Sequence, residues 1–286
     1  MKIAVIGANG QLGSDLCRVF SQQHEVIPLT HSDIQIENMD SVKLVLSPLL
    51  PDVILNTAAF HVVPVCEGKP DTAYNINAIG SLNLARFAQD IKSEYVYYST
   101  DYVFDGSKHQ PYLENDSPNP LNIYAVTKLD GEFFALNYCE RSIVARVSGI
   151  YGKTPCRAKG GNFITTMIKL AKEKPEVNVV ADEILTPTPA FEIAKTTLEL
   201  INRKEEYGLF HMTSEGECSW YDFAKEIFDK LKLKTPLYSC SVKDFTNSIK
   251  RPFYSVLENF NLKKIKIDKM SYWKDGLDKF LEEYYL

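Results

Sequence analysis

Long apolar runs and an excess of positive charge are both missing from this 286-residue sequence. No stretch approaches the roughly 18 consecutive apolar residues that a membrane span needs, so no membrane partner is expected. The formal charge of -5 offers no basic face to a phosphate backbone, so no nucleic-acid partner is expected either. The start of the chain lacks the charged, apolar and small-residue regions of a secretory signal, which makes the cytoplasm the expected location. Cysteine motifs are missing too. Cys17, Cys66, Cys139, Cys156, Cys218 and Cys240 stand apart, with no C-x-x-C pair and no histidine at a metal-ligand spacing. They are expected to be reduced, mostly buried thiols, with Cys66 and Cys156 in loops on the side of the expected site, and no metal is expected.

What the chain does have is alternation. Short apolar runs at 3–6, 25–29, 52–56, 95–99 and 143–147 predict strands, and the stretches between them carry helical spacing. Residues 71–89 are one example, an amphipathic pattern with Ala73, Ile76, Leu82, Leu84 and Phe87. Strand and helix in alternation specify a parallel sheet, because parallel strands need crossover connections that lay helices on both faces. The expected fold class is α/β, a Rossmann-type doubly wound parallel sheet that binds ligands at the carboxyl ends of its strands. After Arg146 the alternation loosens. Residues 153–161 are rich in Gly, Lys and Pro, Thr186-Pro187-Thr188-Pro189 predicts a rigid extended connector, and 270–284 predicts a closing amphipathic helix.

The first strand runs into Gly7-Ala8-Asn9-Gly10-Gln11-Leu12-Gly13 and then a helical pattern. Gly7 permits a sharp turn out of the strand, Gly10 a close approach of a pyrophosphate, and Gly13 close packing of helix on strand. The amides at the helix start then face the diphosphate. Simple turn chemistry is the competing reading, and the N-terminal βαβ setting weighs against it. The expected division is a dinucleotide-binding domain over 1–150 and a mainly substrate-binding lobe over 151–286, some of whose segments return to the first. Cofactor choice is read at the end of the second strand, where Thr30-His31-Ser32 stands in place of a carboxylate, with Asp33 close by. That leaves NADP(H) and NAD(H) both open, with NADP(H) favoured.

The fourth strand ends in Ser99-Thr100-Asp101-Tyr102, and Tyr124 and Lys128 follow at i and i+4 of a predicted helix. Ketone reduction needs a hydride on carbon and a proton on oxygen. A phenol serves as the acid if a nearby ammonium brings its pKa down, and Lys128 is expected to do so while also holding the nicotinamide ribose. Thr100 is expected to hydrogen-bond the substrate carbonyl. An isolated Y-x-x-x-K is more often a solvated helix pair; its order after the glycine turn and the Ser-Thr strand end is what carries the reading.

These residues resemble the extended short-chain dehydrogenase/reductases, and within them the dTDP-4-dehydrorhamnose reductase family, over nearly the whole chain. The likeness runs through G-A-N-G-Q-L-G, Asn56-Thr57-Ala58-Ala59-Phe60, Asn77-Ala78, S-T-D-Y-V-F-D-G from Ser99, P-L-N-I-Y-A-V-T-K-L-D-G-E from Pro120, Gly161-Asn162-Phe163, Ser219-Trp220 and Arg251-Pro252. It implies reduction of the C4 keto group of a nucleotide-linked deoxysugar by NAD(P)H, with Thr100, Tyr124 and Lys128 catalytic. It further implies that Gly7, Gly10, Gln11, Leu12 and Gly13 hold the pyrophosphate, and that Thr30, Gln35 and Ile36 surround the adenosine. Ala58, Ala59 and Phe60 would contact the cofactor, Asp101 and Tyr102 the sugar, and Arg251 the nucleotide. A homodimer is the assembly it suggests, since Asp182-Glu183, otherwise read as surface acids, falls near a subunit contact in the family.

The chain departs from the family pattern at Pro64, which replaces an acid, at Gln35, which replaces an Asp, and at Gly149, which replaces a Trp and reshapes the sugar pocket. His61 is read as a loop residue ahead of a role in proton delivery, Glu67 as a helix-start charge, and Trp220 as a core aromatic. Two other readings share these residues: a sugar-nucleotide epimerase or dehydratase that keeps and cycles its cofactor, and a non-catalytic regulatory subunit like methionine adenosyltransferase β.

Overall fold

The computed structural model describes residues 1–156, 158, 160–244 and 249–286. Arg157 and Lys159, within the Gly/Lys/Pro-rich stretch, lie outside the described residues. Strands β1 (Lys2–Ile6), β2 (Glu25–Leu29), β3 (Val53–Asn56), β4 (Glu94–Thr100) and β5 (Ser142–Val147) fall on the five predicted runs to within a residue at most ends. Helices α1 (Gln11–Phe20), α2 (Met39–Leu46), α3 (Val63–Gly68), α4 (Pro70–Tyr74), α5 (Gly80–Ile91) and α6 (Ile123–Tyr138) connect them. Beyond lie β6 (Ile150–Tyr151), α7 (Phe163–Glu173), β7 (Val177–Val180), β8 (Ile184–Leu185), β9 (Thr188–Pro189), α8 (Ala190–Arg203) and β10 (Gly208–His211). The chain closes through β11 (Cys218–Ser219), α9 (Trp220–Lys230), β12 (Leu237–Cys240), α10 (Phe260–Lys264) and α11 (Trp273–Tyr284), the last being the predicted closing helix.

The main sheet has the order β10-β5-β4-β3-β1-β2, and every pairing in it is parallel. Alternation along β1 shows why both faces must be covered: Ile3 and Val5 join one buried cluster with α1 and α8, while Ala4 and Ile6 join another with α2 and α5. Because β2 and β3 flank β1, the crossovers leave β1 in opposite directions and open a crevice at its carboxyl end. The late elements α8 and β10 belong to this sheet layer. A separate core of Tyr151, Ile164, Val177, Phe223, Trp273 and Phe280 joins α7, α9 and α11. No helix among the described residues is long and apolar enough to cross a membrane.

Two local features differ from the sequence expectation. The single helix predicted over 71–89 contains a π-turn at Asn75–Ile79 between α4 and α5. The turn places the fully buried Asn77 side chain between the loop after β3 and α6, where its Oδ1 accepts from Phe60 N and its Nδ2 donates to Phe60 O and Thr127 Oγ1. The Thr-Pro-Thr-Pro connector is extended as predicted, and its Thr188–Pro189 part pairs with β6. It also accounts for the glycine that replaces the family tryptophan. Gly149 has φ +53°, and a Cβ there would lie 3.0 Å from both Pro187 Cα and Leu185 Cδ1.

Candidate active site

The turn after β1 is built for an anion. Gly7 adopts φ +81° and donates to Leu29 O, and Gly10 N donates back to Gly7 O. A Cβ on Gly13 would lie 2.2 Å from Gly7 O, so only glycine lets α1 start this close to the strand. Gly10 caps α1 without any side-chain hydrogen bond, and the first turn carries no acidic residue. The leading amides of Gln11, Leu12 and Gly13 therefore have no side chain covering them, and the helix dipole adds to their attraction for a diphosphate. These residues fit the dinucleotide that the turn implies.

The residues expected around the adenosine are engaged with protein groups. Asp33 Oδ2 accepts from Thr30 N at 2.8 Å and Thr30 Oγ1 at 2.7 Å, and the bonds from Thr30 hold its carboxyl below the usual carboxylate range. Gln35 donates from Nε2 to His31 O, and buried Ile36 presents its carbonyl to Asn83. Around the end of β3, Ala58 N donates to Asn56 Oδ1, and Asn77 fixes the Phe60 backbone. Asn77, noted in the sequence only as part of the likeness, and Glu67 position neighbouring elements. Glu67, read as a helix-start charge, does stand at a helix start, and the helix is the distant α6: it accepts from Ile123 N, the first amide of α6, across 56 residues of chain. Asn122 caps the same helix through Ala125 N and ties it to Lys250 O. The N-terminal turn of α6, where Tyr124 sits, is thereby held from two sides.

At the carboxyl end of β4 the sequence-predicted residues converge. The Thr100 hydroxyl is near enough to the Tyr124 phenol to oppose the rise in its pKa, and the rings of Tyr102 and Tyr124 meet edge to face at 6.2 Å. Asp101 accepts from Thr100 Oγ1 through Oδ1, and from Ser148 Oγ and Ser255 Oγ through Oδ2. All three donors belong to the protein, so Asp101 orients Thr100 from beneath rather than presenting its carboxylate to a ligand. Burial raises its pKa, and the hydroxyls of Ser255, Ser148 and Thr100 oppose that rise.

Lys128 differs from the expectation. Its ammonium does not lower the phenol of Tyr124: it donates to Tyr98 O at 2.6 Å and lies 4.0 Å from the Tyr97 ring centroid. Burial raises the Tyr124 pKa, with the Thr100 hydrogen bond opposing and the charges of Asp101 and Cys66 adding to the rise. Burial also lowers Lys128 from 10.5 to about 7, against the pull of Glu132. Such a buried lysine couples folding to protons. The unfolded chain binds the additional proton between about 7 and 10.5, so stability owed to this group rises as pH climbs through that window. We expect Lys128→Met to have the higher urea midpoint at pH 6.5 and the two proteins to converge towards pH 10. A gap that does not change with pH would refute the buried-ammonium account.

Behind Lys128, Arg146 grips Glu132 through Nε and Nη2, and Ser99 Oγ also donates to Glu132. His61, favoured as a loop residue, has Nδ1 on Ala59 O and Nε2 3.1 Å from Cys156 Sγ. Cys66 donates to Phe60 O. Pro64 sits in the first turn of α3, where a missing N–H costs nothing. Trp220 packs on Phe163 with ring centroids 4.6 Å apart. The surface reading holds for half-buried Asp182, which accepts from Ser241 Oγ and Val242 N, but not for Glu183, which is 6% exposed and faces Arg251. Glu183 directly precedes β8, whose Ile184 pairs with Ser219 of β11, a tertiary neighbour that its own sequence neighbourhood does not signal.

Comparison with known proteins agrees with this geometry. The chain is 38% identical over 283 residues to the spore coat polysaccharide biosynthesis protein SpsK of Bacillus subtilis, covering 99% of this chain and 97% of that one. A crystal structure of a dTDP-4-dehydrorhamnose reductase from Clostridium acetobutylicum superposes with a TM-score of 0.95 at 39% identity, covering 100% of both chains. That of a dTDP-4-dehydrorhamnose reductase from Bacillus anthracis in complex with NADP gives 0.94 at 35%, covering 99% of each. The family model described as the RmlD substrate binding domain matches residues 1–286, and the chain accordingly belongs to that family, the one that holds the dTDP-4-dehydrorhamnose reductases.

Proposed function

We propose that the chain reduces the C4 keto group of a nucleotide-linked deoxysugar, with dTDP-4-dehydro-L-rhamnose as substrate, dTDP-L-rhamnose as product, and NADPH or NADH as reductant. The observation that carries this is the meeting of the Thr100 hydroxyl and the Tyr124 phenol at the end of β4, one helical turn from buried Lys128 and on the same sheet edge as the glycine turn. The bound nicotinamide supplies a hydride to the carbonyl carbon. Tyr124 gives its proton to the oxygen, and its raised pKa keeps that proton in place until negative charge develops there. Thr100 turns its one hydroxyl proton from Asp101 Oδ1 to the same oxygen and stabilises it there. Lys128 anchors the cofactor ribose, and Arg251 takes the nucleotide diphosphate.

Adding dTDP-4-dehydro-L-rhamnose to protein and NADPH should oxidise one equivalent of cofactor per sugar reduced, followed at 340 nm on the order of minutes. Sugar conversion with the cofactor retained and its absorbance unchanged would instead identify an epimerase or dehydratase and sink the reductase reading.

A further inference from the structure

Glu183 is the buried acid that the reaction just described leaves unused. It is placed by two pairings of the residue after it: Ile184 opposes Ser219 in the β8–β11 ladder, and it exchanges backbone hydrogen bonds with Phe253 and Ser255. Those pairings bring Trp220 to one side of Glu183 and Arg251 to the other. The Trp220 side chain and the Arg251 charge both lower the pKa of the Glu183 carboxyl, against the burial that raises it. Ser255 connects this group to the reacting end: its amide donates to Ile184 O, and its hydroxyl donates to Asp101 Oδ2, on the carboxylate that also accepts from Thr100. A carboxylate has about four acceptor positions, and among the described residues most of those on Glu183 have no donor. Asp101 shows the contrast, with three hydroxyls on its two oxygens. A buried acid with spare acceptor positions is stable only where donors arrive from elsewhere. The hydroxyls of a sugar ring held at Thr100 and Tyr124 are such donors, while a diphosphate has none to give.

We propose that Glu183 accepts a hydrogen bond from a ring hydroxyl of the bound sugar and thereby selects which hexose the site takes, a role that rests on the sugar-nucleotide reading above. Glu183 discriminates between the two parts of the ligand in opposite senses. Its charge opposes the diphosphate near Arg251 and favours the hydroxylated ring.

The test is calorimetric binding of dTDP, dTDP-L-rhamnose and NADPH to wild type, Glu183→Gln and Glu183→Ala. The expected result is roughly tenfold or greater loss of affinity for dTDP-L-rhamnose in both variants, with dTDP bound as tightly as before or more tightly and NADPH unchanged. Equal shifts for dTDP and dTDP-L-rhamnose, or no shift in either, would overturn the proposal. Should the variants fail to fold, wild type with singly deoxygenated dTDP-hexoses decides it. One ring position should cost about tenfold, and losses below threefold at every position would overturn the role. Absence of turnover with every 4-keto sugar nucleotide counts against the reductase reading, and the binding split still judges Glu183.

Discussion

Replacing Tyr124 with phenylalanine is expected to lower turnover by about 10²- to 10⁴-fold, the usual worth of a positioned general acid, while NADPH affinity stays within a few fold. The substitution removes the phenolic oxygen and little else. The ring remains against Tyr102, the cap from Asn122 and the brace from Glu67 act on backbone amides, and the glycine turn lies on another strand. Loss should appear in kcat and kcat/KM alike, since the proton is transferred only as charge develops on the oxygen. Single-turnover rates with saturating NADPH, alongside cofactor titration by fluorescence, separate the two quantities. Retention of more than a tenth of the wild-type rate would assign the proton to another group.

The second large effect concerns stability. Glu132 and Arg146 form an ion pair with both side chains 3% exposed, and the guanidinium also lies 5.0 Å from the Phe104 ring centroid. Truncation to Glu132→Ala would leave a buried cation without its partner beside a network that already has little slack. Arg146 Nη1, His211 Nε2 and Glu114 Oε2 are buried with no hydrogen-bond partner among the described residues. Burial, with Arg146 next, pushes His211 down to about 3, so a neutral imidazole supplies no compensating charge. Breaking a buried pair from one side typically costs about 3–5 kcal/mol, and denaturant unfolding at pH 7 should show a loss of that order. Glu132→Gln, which still accepts from Ser99, should lose less. A loss below about 1 kcal/mol for the alanine variant would mean that water or a rearranged side chain satisfies Arg146.

The local sequence was sufficient for the parts of this protein governed by short-range chemistry. Strand period, helix spacing and the glycine triplet are properties of a few neighbouring residues, and β1 to β5 with α1 lie where those patterns predict. Tyr124 and Lys128 share a helix face because i and i+4 always do. What short-range pattern could not convey is where a side chain goes once distant segments meet. Lys128 turns to Tyr98 O and away from the phenol because β4 runs beneath α6. Glu67 caps a helix 56 residues away, and Asn77 bridges a loop and a helix from inside a π-turn. Asp182 and Glu183 are adjacent acids with different fates, one half-buried on Ser241 and Val242 and one buried, which their shared sequence neighbourhood does not distinguish. Composition and spacing thus determined the sheet, the glycine turn at its edge and the shared helix face of Tyr124 and Lys128, while tertiary contact alone decided which charges are buried, what they touch and how their protons are held, since desolvation and pairing energies depend on neighbours in space.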